Sequence, residues 1–258
     1  MTRIGDRFAR LKGEGRTAFI AFLTAGDPSL ERSVDLALEA EAGGADILEL
    51  GVPFSDPVAD GPVIQRASDR ALAAGATLRG VLDVARRIRE QSELPLLLFS
   101  YMNPLVRLGL ARSADAAREA GIDGVLVTDL PPEEAKEWSA LAHDRDLDTV
   151  FLAAPTSPEQ RLRTIAEASS GFVYAVSRTG VTGERDAISG DATPLVQKLR
   201  AAAPVPVALG FGISTPEQCA AAAVIADGVV VGSALVRHVE EHPEADLSEK
   251  LRWLKGEI

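Results

Sequence analysis

Eight short runs of consecutive apolar residues, each followed by a stretch with helical spacing, set the tightest limit on how this 258-residue chain can fold. The runs are Thr17–Thr24, Ile47–Leu50, Leu94–Ser100, Gly124–Val127, Thr149–Leu152, Phe172–Val176, Val205–Leu209 and Gly228–Val231. A strand that is apolar at successive positions, rather than alternate ones, has both faces covered, as parallel strands flanked by helices do. Eight βα units in about 250 residues predict an α/β fold of the (β/α)8 TIM-barrel type. The competing doubly wound sheet lacks its usual mark, since no GxGxxG follows the first run. No linker-like or low-complexity break interrupts the series, so residues 1–258 read as a single domain. Ahead of the first strand, Ile4, Phe8 and Leu11 share one side of an extra N-terminal helix that is expected to pack on the main body.

The second run carries the most unusual residues. Ala45–Pro62 reads ADILELGVPFSDPVADGP, an apolar strand with an acid in its middle and then a loop stiffened by Pro53, Pro57 and Pro62. A carboxylate within an apolar strand is costly to bury unless it is paired, protonated or used. Alternation sets Ile47 and Glu49 on one face and Leu48 and Leu50 on the other. With the odd positions inward, Glu49 points up the barrel axis toward the C-terminal strand ends, where such barrels hold their active sites. Asp60, on the rigid loop that follows, makes a proton-transfer pair with Glu49 feasible. The plainer alternative is a satisfied core acid with turn-forming loop acids, and this stretch alone leaves both readings open.

Other strand ends add an anion site. Gly210-Phe211-Gly212-Ile213-Ser214 follows the seventh strand and Gly232-Ser233-Ala234 the eighth, the two places where barrel enzymes hold phosphate on backbone N–H groups. Tyr174 in the sixth strand lies at a depth comparable with Glu49, either as a contact to it or the substrate or as a core aromatic with a bonded tip. The glycine-bearing loop Ser177–Gly190 is long for a connection, and its composition fits a lid or a surface loop. Asp129, before two prolines, is either a cap or a coupling residue. Asp27-Pro28 reads as a helix start with Asp27 as N-cap.

Composition removes other classes of function. A net charge of −11 with no basic cluster argues against nucleic acid and anionic membranes as partners. No apolar run nears the roughly 20 residues of a membrane span. The single cysteine, Cys219, and an opening segment without a signal-peptide core lead us to expect a cytoplasmic protein. No HxxH or CxxC spacing points to a metal. The residues alone thus describe a cofactor-free barrel enzyme with a two-carboxylate site and a phosphate-bearing substrate.

TAGDP (24–28), ELGVPFSDPVADGP (49–62), YMNP (101–104), VTDLPPEE (127–134), SRTGVTGER (177–185), GFGIST (210–215) and GSALV (232–236) together resemble the tryptophan synthase α subunit family, in order and across essentially the whole chain. The resemblance implies a lyase that cleaves indole-3-glycerol phosphate to indole and glyceraldehyde 3-phosphate. Glu49 matches the family's general acid and base, and Asp60 the acid that hydrogen-bonds the indole N–H. Phe22, Phe99, Leu126 and Phe211 match the indole pocket. Gly183, Gly212, Ile213, Gly232 and Ser233 match the phosphate site, and Thr182 matches the residue that closes on Asp60. The resemblance also implies no cofactor in this chain. It implies a pyridoxal-phosphate β subunit as partner in an α2β2 assembly, with Asp56 and Pro57 on the contact surface.

Two departures stand out. The stretch Ala221–Asp227 is slightly short and lacks the usual glycine, and Phe99 replaces a more usual aliphatic residue. Three alternatives remain beside the partnered lyase. One is a lyase that acts alone, and another is a catalytically silent barrel that activates a β subunit. The last is a phosphate-binding barrel of another kind, such as a thiamine-phosphate-synthase-like fold, which would have no reason to keep both acids at this spacing.

Overall fold

Each apolar run becomes a strand, and each strand hydrogen-bonds in parallel to the next in sequence until the last closes on the first. The structure, a computed structural model, describes residues 2–176, 192–210, 212–256 and 258. The strands are β1 (Ala18–Thr24), β2 (Ile47–Gly51), β3 (Leu96–Ser100), β4 (Gly124–Val127), β5 (Asp148–Ala153), β6 (Val173–Val176), β7 (Val207–Gly210) and β8 (Gly228–Val231). The expected (β/α)8 barrel is therefore the fold. Helix α1 (Arg3–Gly13) precedes it, followed by α2 (Leu30–Ala42), α3 (Pro62–Ala73) and α4 (Leu78–Arg89). Then come α5 (Met102–Leu108), α6 (Leu110–Glu119), α7 (Lys136–His143), α8 (Glu159–Ala168), α9 (Ala192–Ala202), α10 (Pro216–Ile225), α11 (Ser233–Glu241) and α12 (Leu247–Lys255). None of the described helices is long and apolar enough to cross a membrane.

The two faces of each strand feed two separate cores. Outward residues such as Phe19, Leu48, Leu50, Leu96 and Leu98 pack under the helices. Helix α4 shows how the covering layer forms. Val81, Leu82, Val84, Ala85 and Ile88 are buried on one side, the Thr77 hydroxyl accepts the Gly80 N–H at the start, and Arg86, Arg87 and Arg89 sit in the last turn. There they oppose the negative end of the helix dipole. Inward residues, among them Ile20, Phe22, Ile47, Leu97, Phe99 and Tyr174, fill the barrel. Helix α1 closes its lower end by inserting Ile4, Phe8 and Leu11 into that inner cluster. Burial of each such side chain contributes about 1.5–3 kcal/mol.

The lower rim carries a repeated device. An aspartate stands immediately before β2, β4 and β8, and its Oδ2 accepts a backbone N–H from the first or second residue of the preceding strand. The pairs are Asp46 with Phe19 at 3.0 Å, Asp123 with Leu96 at 2.9 Å and Asp227 with Val207 at 2.9 Å. Between β5 and β6 the Ser170 hydroxyl does the same for Thr149, at 2.9 Å. Arg89 and Arg3 hold Asp123 in turn, each at 3.0 Å.

Two details differ from the sequence reading. Asp27 does not cap α2; Ser29 does, accepting the Arg32 N–H, because the chain turns once more before the helix. Asp27 is instead buried in a two-pronged pair with Arg70 of α3, at 2.9 and 2.7 Å. The spacing over 105–120 reads as one helix, but the structure has two, α5 and α6, which meet at Gly109, whose φ of 96° has no place in a helix.

Candidate active site

At the upper end of the barrel the inward residues stop short of filling it. They leave a pocket of about 420 Å³ of atom-free space, counted to its open mouth. Its walls bring together Phe22 from β1, Glu49 from β2, Phe99 from β3 and Tyr174 from β6, with Asp60 from the loop after β2. Gly212 and Ile213 after β7, and Gly232 and Ser233 at the head of α11, complete the side expected to take an anion. Ile64 and Val230 also line the pocket and went unremarked in the sequence. Ile64 lies in the first turn of α3, four residues after Asp60, and Val230 holds the inward parity of β8. Leu126, expected in the wall, lies in the same inner cluster but does not reach the pocket. Thr182, Gly183, Phe211 and the loop 177–190 lie outside the described residues.

Strand register explains the surroundings of Glu49. Its Cα neighbours across the ladder are Phe22 on β1 and Leu97 on β3, and the Phe22 and Phe99 rings meet edge to face at 5.1 Å beside it. Glu49 is completely buried, and neither carboxylate oxygen has a hydrogen-bond partner among the described residues. The reading of a satisfied core acid fails on that observation. Burial alone pushes its carboxyl from 4.5 to about 8, so at neutral pH it is mostly a proton donor.

Asp60 differs in environment and so in charge. It is 5% exposed, and burial raises its carboxyl to about 6 while a hydrogen bond from Tyr101 opposes the rise. The hydroxyl of Tyr174 is pushed well above its ordinary value, first by burial and then by the nearby charges of Glu49 and Asp60. Two carboxyls in one pocket are thus held in different protonation states at pH 7, a combination that can supply both a proton donor and a negative charge.

Two strand-end glycines make room for the aromatic walls. A Cβ on Gly51 would meet the Phe22 ring at 2.6 Å, and one on Gly210 would meet the Tyr174 hydroxyl at 2.4 Å. The anion side is more selective than the glycine pattern implied. Helix α10 satisfies its own first turn with a capping box of Thr215 and Gln218. Helix α11, headed by Gly232, has no side-chain cap, so its N-terminal dipole faces the pocket instead of a neighbouring side chain. No lysine or arginine stands among the described residues of the wall. An anion held there meets backbone dipoles, which agrees with a chain of net charge −11.

On the outer side of the loop after β2, Asp56 is exposed, Pro57 is half-buried and Val58 is 76% exposed. Asp129 settles as a cap at a distance: its Oδ1 accepts the Met102 N–H at 2.7 Å, at the head of α5 on the neighbouring unit. No group of three or more histidine, cysteine, aspartate or glutamate side chains among the described residues is placed to hold a metal ion.

Comparison with known proteins agrees with this geometry. The family model described as tryptophan synthase alpha chain matches residues 8–255. A tryptophan synthase alpha chain from Solibacter usitatus is 56% identical over 245 residues, which span 95% of this chain and 92% of that one. A structure of Mycobacterium tuberculosis tryptophan synthase superposes with a TM-score of 0.92 at 38% identity, covering 98% of this chain and 96% of the other. A chain from a structure of the tryptophan synthase α2β2 complex of the hyperthermophile Pyrococcus furiosus superposes with a TM-score of 0.88 at 40% identity, covering 93% of this chain and 98% of that one.

Proposed function

The chain belongs to the tryptophan synthase alpha chain family, and we propose that Glu49 and Asp60 are the residues with which it cleaves indole-3-glycerol phosphate. The family's reaction is a carbon–carbon lyase step that yields indole and glyceraldehyde 3-phosphate, and the indole passes to a β subunit that makes tryptophan. The α chain carries no cofactor of its own, and the pyridoxal phosphate belongs to the β partner. One observation carries the assignment of roles. Glu49 is wholly buried with both oxygens unpartnered, in the same pocket as a less perturbed Asp60.

Glu49 starts protonated and gives its proton to C3 of the indole ring. The ring becomes an iminium, and the positive charge gathers at the ring nitrogen. Asp60, ionised, accepts the hydrogen bond of that N–H and stabilises the charge. Glu49, now a carboxylate, takes the proton of the hydroxyl on the carbon attached to C3. As that hydroxyl becomes a carbonyl, the carbon–carbon bond breaks and its electron pair returns to the ring. The ring regains its aromaticity and Glu49 ends as it began. A donor near pKa 8 suits both halves of this cycle at neutral pH.

Phe22 and Phe99 hold the ring, with Leu126 behind them, and Tyr174 orders the space above Glu49. Gly212, Ile213, Gly232 and Ser233 receive the phosphate at the head of α11. Asp56 and Pro57, with the exposed Val58, form part of the surface that meets the β subunit. We read residues 1–258 as one catalytic domain at work in the cytoplasm.

The test is indole release from indole-3-glycerol phosphate by the purified chain, with and without a cognate β subunit. Slow release alone and a large increase with β are expected. Glu49→Gln is expected to abolish release while leaving inorganic phosphate binding intact. Normal turnover by that variant refutes the assignment, and fast release without β favours a lyase that acts alone.

A further inference from the structure

Tyr101 lies outside the pocket wall, yet its hydroxyl is bonded both to Asp60 in that wall and to the backbone of the loop that carries it. It follows β3, is 2% exposed, and has its ring against Phe54 at a centroid distance of 5.0 Å. Its hydroxyl accepts the Ala59 N–H at 3.0 Å and donates to Asp60 Oδ2 at 3.0 Å. A phenol has one proton, and because the Ala59 N–H already supplies a donor to that oxygen, the proton goes to the carboxylate. The bond is charge-assisted and leaves Oδ1 of Asp60 for the substrate. Burial first, and then the charge of Asp60, raise the Tyr101 phenol well above its ordinary value, so it stays a donor at any working pH.

The other end of this connection is the exposed loop. Ala59 directly follows Val58, whose N–H bonds the Asp56 carbonyl at 2.9 Å, and the Asp60 N–H bonds the Pro57 carbonyl at 3.0 Å. A change in the Asp56–Val58 turn therefore moves the Ala59 N–H and, through one shared oxygen, the donor on Asp60. We propose that Tyr101 is a positioning residue that keeps Asp60 ionised and turned into the pocket, and that through Ala59 it makes the state of Asp60 depend on the loop bearing Asp56 and Pro57. The proposal rests on the role given to Asp60 above. Among the described residues the titratable groups facing Asp60 are Glu49 from β2, Tyr101 after β3 and Tyr174 from β6.

The experiment is the pH profile of kcat/KM for indole release by wild type and Tyr101→Phe, each with and without the β subunit. The acid limb reports Asp60 and the basic limb Glu49. Loss of a charge-assisted donor is expected to move the acid limb up by about one pH unit in Tyr101→Phe. The basic limb stays in place, and kcat falls more than KM changes. Addition of β moves the acid limb of wild type and leaves that of Tyr101→Phe where it was. An unmoved acid limb, a loss equal at every pH, or a wild-type limb indifferent to β each overturns the proposal. Thermal melting checks that the variant folds; if it does not, 3-fluorotyrosine at position 101 keeps the shape and strengthens the donor. That substitution is expected to move the acid limb down, and no movement overturns the proposal. A wild type that releases no indole refutes the lyase reading itself, a distinct outcome.

Discussion

Replacing Glu49 by glutamine is expected to make the unliganded protein more stable, by an amount that grows with pH. The folded carboxyl titrates near 8 and the unfolded one near 4.5. Below pH 4.5 both states are protonated, and the group makes no pH-dependent contribution. Between 4.5 and 8 the unfolded chain releases a proton that the folded chain keeps, so stability falls as pH rises through this window. The loss is about 1.4 kcal/mol per pH unit, which makes about 3 kcal/mol at pH 7 and about 5 kcal/mol above pH 8, where the curve flattens. Glutamine has nearly the shape of the protonated acid and does not titrate. The buried, unpartnered polar atoms remain in both proteins, and any contribution from Asp60 is common to both. The difference in urea unfolding free energy between Glu49→Gln and wild type, at pH 5, 7 and 8.5 and fixed ionic strength, isolates this one group. A difference that stays constant from pH 5 to 8.5 refutes the claim that burial keeps Glu49 protonated, and with it the first proton transfer.

Gly210→Ala places a methyl carbon against the Tyr174 hydroxyl at 2.4 Å and forces the ring into the pocket or the strand outward. Stability is expected to fall by about 1–3 kcal/mol, and turnover by on the order of 100-fold; a urea melt and an indole assay check both, and normal turnover shows that the ring position is not limiting. Asp123→Ala, at the lower rim, removes the acceptor for the Leu96 N–H and the partner of Arg89 and Arg3. It is expected to destabilise by about 3 kcal/mol yet leave turnover unchanged well below its melting temperature, because the chemistry sits at the other end of the barrel; a loss of turnover in a fully folded sample would show that the two ends are coupled.

The barrel was legible because its strands announce themselves twice, by runs of apolar residues and by the helix signals between them. Glu49 was legible as an acid within such a run, and the alternation that turns it inward follows from strand geometry alone. Its missing partners were not legible, since they depend on what β1, β3 and β6 place around it. The Tyr101–Asp60 bond joins residues 41 positions apart and has no local signature. The same holds for Asp27, whose sequence context announces a cap while Arg70 of α3 claims its carboxylate. The break between α5 and α6 rests on one backbone angle at Gly109, where helical spacing continues on either side. The rim aspartates could have been read: Ala-Asp, Ile-Asp and Ala-Asp stand before β2, β4 and β8 at equivalent positions.

Those rim bonds tie the strands in pairs, β1 to β2, β3 to β4, β5 to β6 and β7 to β8. Two pairs make half a barrel, and the chemistry divides along the same line. The first half, β1 to β4, owns Glu49, Asp60 and the hydroxyl that holds Asp60. The second half, β5 to β8, owns the glycine turns and the head of α11. On the roles proposed above, a substrate with an aromatic ring at one end and a phosphate at the other would lie across the join, its reactive carbon meeting the acids only when both halves grip it. On that proposal, the ring closure that β1 and β8 complete is a condition of catalysis as well as of stability, because it fixes the distance between the end that anchors and the end that reacts.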